Sequence, residues 1–222
     1  MGFGQLPYDV AHVLGGSMLL VSFVLLYQRR TAALVNALAL QGVLLAAAAV
    51  WQGYVQGAPQ LYVTGLIALA AKGVAIPIFL RRIMRSRVPD RAAEAAGHIG
   101  LSMLGGVLLV ALAILVVLPV TTGAQALARE DLAIALSIVL LGLLTVITRR
   151  SALGQVAGLM TLENGLVLGA VGVAGMPLVI ELSTAGLVLV IIVVASFFAR
   201  LLRERFDSLD TDMLHPHRGE GR

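Results

Sequence analysis

The sequence is 222 residues long, and 59% of its residues are hydrophobic while only 13% are charged. Soluble domains carry roughly twice this charged fraction, so a soluble enzyme is excluded and an integral membrane protein is indicated. The net charge of +4 comes from arginines that flank apolar runs, which argues against nucleic-acid binding. The absence of cysteine excludes disulfides, thiolate metal sites and iron–sulfur ligands within this sequence.

Seven apolar runs of about twenty residues are each long enough to cross a hydrocarbon core of about 30 Å as an α-helix. In chain order the predicted spans are 9–27, 32–51, 60–80, 98–118, 131–148, 153–174 and 177–199. Residues 81–97 form a longer connector, in which Pro89 suits the first turn of a short surface helix. We therefore expect an all-α, polytopic membrane helical bundle with seven transmembrane helices in a lipid bilayer.

The basic residues predict the orientation of this bundle. The connectors after spans 1, 3 and 5 and the C-terminal tail carry 14 of the 16 Lys and Arg residues. Of the other two, Arg129 lies on the opposite side and Lys72 lies within span 3. Because cytoplasmic segments of membrane proteins are enriched in Lys and Arg, we expect the N-terminus outside and the C-terminus inside.

Spans 5–7 repeat the order of features seen in spans 1–3, which is typical of a parallel internal repeat. Two dipeptides match, since Arg29-Arg30 corresponds to Arg149-Arg150 and Gln41-Gly42 corresponds to Asn164-Gly165. An equally weighted alternative is that apolar helices with basic inner flanks all look alike. The predicted organisation has four parts. Residues 1–97 form a three-helix unit with a cytoplasmic connector, and residues 98–130 form a linking helix and an outer loop. Residues 131–206 form a second three-helix unit, and residues 207–222 form a cytoplasmic tail.

Three ionisable residues, Lys72, Glu163 and Glu181, lie within apolar runs and are the strongest functional indication in the sequence. A charge near the centre of a bilayer costs from about 3 to over 10 kcal/mol, so such residues usually face a bundle interior or a water path. Glu163 lies roughly 15 Å from either end of its span, too deep for its short side chain to reach the interface. It is interpreted either as a carboxyl that binds and releases a proton or as a neutral group hydrogen-bonded to another helix.

The other polar residues of the predicted path differ in depth. Lys72 lies five residues before Pro77, where a helix loses a backbone hydrogen bond. One interpretation is that Lys72 pairs with a carboxylate or exchanges a proton. The other is that it anchors the helix at the interface. Glu181 lies near the outer boundary and is interpreted either as the outer end of a proton path or as an acid that stabilises a helix start. The predicted supporting residues are Asn164, Thr161, Gln155, Gln41, His98 and His12, of which the two histidines either shuttle protons or act as interfacial caps. No set of His and Glu residues has the spacing of metal ligands.

The segment LLGLLTVITRRSALGQVAGLMTLENGLVL, which contains Glu163, resembles the hydrogenase-4 membrane component E family. Three further segments are similar to the same family, namely AKGVAIPIFLRRIMRSRVP around Lys72, PLVIEL at the start of span 7 and SLDTDMLHPHRGEG in the tail. Spans 5–7 also look like the K subunit of NADH-quinone oxidoreductase (complex I) and its counterpart in multisubunit cation/proton antiporters. On this resemblance Glu163 is the counterpart of an essential glutamate of the K subunit, displaced by about one helical turn because Met160 follows Gly-Leu here. Leu187 stands where hydrogenase relatives often have a second acid.

The resemblance implies a non-redox accessory subunit of formate hydrogenlyase or a related membrane-bound NiFe hydrogenase complex. Such a subunit has no catalytic centre, metal or cofactor of its own. Its partners are the hydrogenase membrane-foot subunit and antiporter-like membrane subunits, in the inner membrane of a bacterial or archaeal cell. Lys72, Glu163 and Glu181 would belong to a lateral proton or Na⁺ pathway.

Alternatives to this interpretation come from different functional classes. The chain could be a purely architectural membrane subunit, in which the buried charges specify helix registry. It could also belong to a multisubunit cation/proton antiporter. A stand-alone small transporter is the weakest alternative, because neither an inverted repeat nor an obvious substrate pocket is evident in the sequence.

Overall fold

The computed structural model describes residues 6–87, 99–120, 126–149 and 151–172 of the chain. All regular structure within these ranges is helical, and they contain no strand. The helices are α1 (Leu6–Tyr27), α2 (Thr31–Gln56), α3 (Gln60–Ala68), α4 (Ile76–Arg87), α5 (Ile99–Val120), α6 (Ala126–Thr148) and α7 (Ala152–Gly172). A π-helical segment, Leu69–Ala75, joins α3 to α4 without a break, so residues 60–87 form one helical rod.

Five helical segments are long and apolar enough to cross a membrane, and they correspond to the first five predicted spans. They are Asp9–Tyr27, Thr31–Gln56, Gln60–Arg82, Ile99–Pro119 and Glu130–Thr148. Although α7 has 21 residues, Gln155, Glu163 and Asn164 lower its mean hydropathy, and it is not one of the five. The predicted seventh span, 177–199, lies outside the described residues. The all-α architecture with membrane-length apolar helices is therefore confirmed, whereas the count of seven and the orientation stay predictions.

Besides the end of α2, which lies at Gln56 rather than at 51, two predicted boundaries differ from the structure by five residues or more. Residues 81–87, which the sequence assigns to a connector with a short surface helix, instead extend α4, and the rest of that connector lies outside the described residues. The sixth helix begins at Ala126 rather than at 131. Both extensions are built from residues such as Ala, Leu, Arg and Glu, which favour helix, so the helices continue beyond their apolar runs.

The centre of the bundle consists of α1, α2, α6 and α7. In this group α1 packs against α2 and α6, and α7 packs against the same two helices. Short connectors make α1–α2 and α6–α7 two antiparallel hairpins. The hairpins run in the same direction, because His12 near the start of α1 contacts Glu130 near the start of α6. The matched amides Gln41 and Asn164 are therefore at the same depth, where they share a hydrogen bond.

The remaining helices flank this centre. The rod over residues 60–87 packs on α2, and α5 packs on α6 and α1. Only 17% of the segment Ile99–Pro119 is buried within the described structure. The exposed side chains of α5 are apolar, including Leu101, Leu108 and Leu115, which suits contact with lipid tails.

Glycines bring α6 and α7 into backbone contact along their length. A Cβ atom added at Gly158 would lie 2.6 Å from the backbone nitrogen of Val146, and one added at Gly165 would lie 2.8 Å from that of Val139. Gly142 on α6 meets the backbone of Leu162 in the same way, directly beside Glu163. Small residues that allow such close approach are typical of membrane helix interfaces. This hairpin holds Glu163 at a fixed position in the bundle.

We expect Gly158→Ala to destabilise the protein by about 1 to 3 kcal/mol, because overpacking against backbone atoms cannot be relieved by side-chain rotation. Thermal unfolding of the full chain in detergent measures the effect. Gly16→Ala on α1 is the matched control, since nothing lies within 4 Å of the added methyl group. An equal loss of stability in both variants would contradict the close packing of α6 and α7.

Candidate functional site

Lys72 lies in the π-helical segment, and the sequence explains why the helix widens there. Pro77 has no backbone N–H, and in an α-helix its ring would clash with the carbonyl of Gly73. The N–H of Ile76 donates to the carbonyl of Ala71, five residues earlier, which is the hydrogen-bond spacing of a π-helix. The break predicted at Pro77 is therefore taken up by the preceding residues 69–75, and Lys72 stands in the middle of them.

The backbone at Lys72 touches α2 at Gly42. A Cβ atom added at Gly42 would lie 2.6 Å from the carbonyl carbon of Lys72 and 2.8 Å from the nitrogen of Gly73. Only glycine permits this approach without displacing one of the two helices. The contact fixes the point at which the lysine side chain leaves the rod.

Lys72 and Glu163 form a buried ion pair between this rod and α7. The Lys72 Nζ to Glu163 Oε1 distance is 3.2 Å, and the two side chains are 2% and 7% exposed. Among the described residues, no group makes a well-aligned hydrogen bond to Nζ or to either carboxylate oxygen. An ammonium has three donors and a carboxylate has two acceptor oxygens, so each group keeps hydrogen-bonding capacity beyond this contact.

A chain of buried polar side chains crosses the bundle next to the ion pair. Asn164 Nδ2 donates to Gln41 Oε1 over 3.1 Å, and Gln41 Nε2 donates to Ser22 Oγ over 2.8 Å. The Ser22 hydroxyl donates in turn to the carbonyl of Met18 over 2.9 Å. These hydrogen bonds connect α7, α2 and α1 at the depth of Glu163, and all three polar side chains are almost fully buried.

Two of the other predicted polar residues on α7 do not join this network. The Thr161 hydroxyl is buried but donates to the carbonyl of Ala157 on its own helix, over 2.8 Å. Gln155 is exposed at the start of α7, where its amide donates to the carbonyl of Arg149 over 3.2 Å. The role of Gln155 as a supporting residue of the path therefore stays a prediction. The predicted sites Glu181 and His98 lie outside the described residues.

His12 lies near the start of α1 and contacts two carboxylates of α6. Its Nε2 atom is 2.6 Å from Glu130 Oε2, and its Nδ1 atom is 3.9 Å from Asp131 Oδ1. The predicted position of His12 at the edge of the apolar span agrees with its partly exposed side chain. The sequence alone does not single out the two carboxylates, because acids near a helix start commonly only stabilise the helix.

Arg149 has a structural role that sequence reasoning missed. Its guanidinium is 8% exposed, and Nη2 donates to the carbonyls of Leu25 and Leu26 and, over a shorter distance, of Gln28. The last carbonyls of a helix have no partner within the helix, so this arginine completes the C-terminus of α1. In the sequence, Arg149 looks like any other basic residue that flanks a membrane span.

No three His, Asp or Glu residues within the described ranges are arranged to hold a metal ion. What the site can do is exchange protons: the ammonium of Lys72 can give a proton to the carboxylate of Glu163, leaving two neutral groups. This internal transfer does not change the net charge of the buried site. The pair can therefore exist in an ionised and a neutral form that have the same net charge.

Comparison with known proteins gives one informative match. The chain is 30% identical over 203 residues to the uncharacterized protein Rv0085 of Mycobacterium tuberculosis, and the match covers 90% of this chain and 91% of that protein. Because no more than a tenth of the chain is left out, Lys72 and Glu163 both lie within the matched region. No family model and no solved structure matches the chain.

We expect Gln41→Leu to destabilise the bundle, because it removes two interhelical hydrogen bonds and leaves the Asn164 amide without its acceptor. Each such bond within a membrane protein contributes about 0.6 to 1.7 kcal/mol. The double variant Gln41→Leu/Asn164→Leu should recover part of the lost stability, because the Asn164 amide that would lack an acceptor is no longer present. Thermal unfolding in detergent measures both, with Ser17→Ala as a control, because its hydroxyl bonds only to Val13 on the same helix.

Proposed function

The chain belongs to the same family as Rv0085, and we propose that it is a non-redox integral membrane subunit of a hydrogenase complex. The complex is of the membrane-bound NiFe hydrogenase or formate hydrogenlyase type. In it, Lys72 and Glu163 belong to a lateral proton or Na⁺ pathway that links the hydrogenase module to antiporter-like subunits. The sequence resemblance to the hydrogenase-4 membrane component E family and to the K subunit of complex I supports the type of complex.

The observation that carries the proposal is the buried pair of Lys72 and Glu163. An ion pair at 3.2 Å in an apolar bundle contributes little to stability, because desolvation of the two charges opposes their attraction. The two side chains are only 2% and 7% exposed, and they lie beside the buried amides of Asn164 and Gln41. Such a pair suits a site that must change its protonation state.

The charges also suggest how a proton would pass. A proton that binds the carboxylate of Glu163 removes the partner of the Lys72 ammonium and leaves one uncompensated positive charge in the apolar interior. That charge favours release of a proton from Lys72 to the next acceptor, which returns the site to its original net charge. The coupling between the two groups would link uptake of one proton to release of another at this point.

The membrane arrangement of the proposed subunit has seven crossings, with the N-terminus outside and the C-terminus inside the cell. The five apolar helices provide the first five crossings. With 21 residues α7 is about 31 Å long, enough for a sixth crossing, since Thr161, Glu163 and Asn164 in its middle are buried within the bundle. Residues 177–199 would provide the seventh. The known relative comes from a bacterium, which fits the cell membrane of a prokaryote.

An architectural role is the second candidate. The pair joins the rod over residues 60–87 to α7, and the neighbouring hydrogen bonds from Asn164 through Gln41 to Ser22 join α7 to α2 and α1. Buried polar contacts of this kind can specify which helices pack together. The two candidates differ in what happens when both charges are removed at once.

In the assembled complex, we expect Glu163→Gln and Lys72→Met each to abolish coupled ion translocation. Ion uptake by membrane vesicles during hydrogenase turnover measures translocation, and co-purification of the subunits measures assembly. The double variant Lys72→Met/Glu163→Gln separates the two candidates, because removal of both charges leaves no unpaired charge in the interior. An ion pathway predicts normal assembly and no translocation, whereas an architectural pair predicts that the double variant restores both.

Ser137→Ala is the matched control for a buried polar change, because its hydroxyl bonds only to the carbonyl of Ala133 within α6. It should leave translocation at the level of the unmodified protein. Unchanged translocation in both Glu163→Gln and Lys72→Met would overturn the pathway. Co-purification of the chain without a NiFe large subunit, but with antiporter subunits, would instead assign it to a multisubunit antiporter.

A further inference from the structure

A cleft opens between the start of α1, the end of α2, the start of α6 and the end of α7. Its cavity volume is about 10 Å³, which is room for about one water molecule. Its lining residues include Ala48, Gln52, Asp131 and Leu168. Gly15 and Gly172 also line the cleft, and because glycine has no side chain they leave its space open. The cleft lies at the end of the bundle where His12 contacts α6.

The titratable groups at the cleft form a series of increasing burial. The side chains of Glu130, His12 and Asp131 are 57%, 37% and 22% exposed, and Asp131 lines the cleft itself. His12 stands between the two acids, with Nε2 directed to the more exposed Glu130 and Nδ1 to the more buried Asp131. The other helices packed against α1 carry no further charged side chain near His12 within the described residues, and Asp9, one turn earlier on α1, is exposed.

The floor of the cleft leads toward the buried polar side chains. Ile134 and Leu168 line the cleft and also pack against the apolar cluster that contains Met18 and Leu45, both fully buried. Leu168 is one turn from Asn164 on α7, and Leu45 is one turn from Gln41 on α2. A thin apolar layer therefore separates the cleft from the amides beside the ion pair. Below this layer Asn164 Oδ1 is buried and lacks a hydrogen-bond partner within the described structure.

We propose that Glu130, His12 and Asp131 form a proton-access vestibule for the buried Lys72–Glu163 pair, closed on its inner side by Met18 and Leu45. This vestibule, meaning the three titratable residues and the cleft, deepens the proposed function and rests on it for its purpose. Its water access and its preference for cations follow from the cleft and the two carboxylates alone. In the proposed orientation it faces the outside of the cell.

The transfer through the vestibule balances at every step. Glu130 takes a proton from a hydronium ion in the surrounding water, which leaves a water molecule, and passes the proton to Nε2 of His12, which gives an imidazolium. The imidazolium then releases the proton on Nδ1 toward Asp131, across a gap of 3.9 Å that one water molecule can bridge. The imidazole ring of His12 is then neutral again, and it returns to its starting tautomer before the next transfer. Passage beyond Asp131 requires water to enter the apolar layer at Met18 and Leu45.

The cysteine-free sequence provides a direct test of the cleft, because a single introduced thiol is then the only one in the chain. Ala48→Cys and Ala49→Cys are matched, since these neighbouring alanines are 4% and 0% exposed and only Ala48 lines the cleft. In vesicles with the full chain, a small hydrophilic cationic thiol reagent should label Ala48→Cys about tenfold faster or more. Equal rates, or no labelling of Ala48→Cys, would overturn the vestibule.

Single-cysteine variants also test whether the vestibule prefers cations and whether the apolar layer closes it. The cationic reagent should react with Ala48→Cys about tenfold faster than an anionic one of similar size, and Glu130→Gln/Asp131→Asn should abolish this preference. Leu45→Cys should be protected and should become reactive when Met18→Ala is added. Failure of the acidic variants to change the preference would contradict a cation-attracting site.

A functional test uses the intact hydrogenase complex. His12→Gln should slow ion uptake from the vestibule side, and a high concentration of imidazole buffer should restore it, because a mobile base can replace a proton relay at the surface. Glu163→Gln should not be rescued by the buffer. If the unmodified complex moves no ions, the proposed function fails, while the labelling result still decides the vestibule. Normal uptake by His12→Gln without added buffer would overturn the vestibule and leave the central pathway standing.

Discussion

The fold depends on a way to hold two opposite charges in an interior with almost no water. Lys72 and Glu163 come from distant parts of the chain, and each alone would be costly to bury. The structure brings them to 3.2 Å by three local features, namely the widened helix before Pro77, the close contact of Gly42 with the lysine backbone and the glycine-rich packing of α6 on α7. Each feature positions one partner, so the pair depends on all three.

The polar side chains around this pair form two groups with different surroundings. Asn164, Gln41 and Ser22 are buried and donate to one another in one direction across three helices. His12, Glu130 and Asp131 are partly exposed at one end of the bundle, where a cleft reaches inward. Met18 and Leu45, each one helical turn from a member of the first group, belong to a buried apolar cluster against which the cleft residues Ile134 and Leu168 pack.

The membrane class, the helical architecture and most helix positions could be predicted from the sequence, because long apolar runs allow few alternatives in a bilayer. The buried lysine and glutamate could be recognised for the same reason, although their proximity could not be derived from residues so far apart in the chain. Their role in proton movement stays a prediction. The π-helical segment was missed because Pro77 indicates a break without saying how the preceding turns absorb it.

The residues that sequence reasoning missed depend on partners from other helices. Ser22 looks like any hydroxyl in an apolar run, and only the facing Gln41 gives it a role. Gln155 lies two turns before Glu163, and its partner, the carbonyl of Arg149, could not be derived from that spacing. Helix periodicity gives the direction of a side chain around its own axis and carries no information about which neighbour it meets.

The contacts at the two ends of α1 have a mechanical consequence. Near its start α1 is tied to α6 through His12 and Glu130, and at its last turn its carbonyls are held by the guanidinium of Arg149. Because α1 and α6 are parallel and are held together near both ends, they resist sliding and tilting relative to each other.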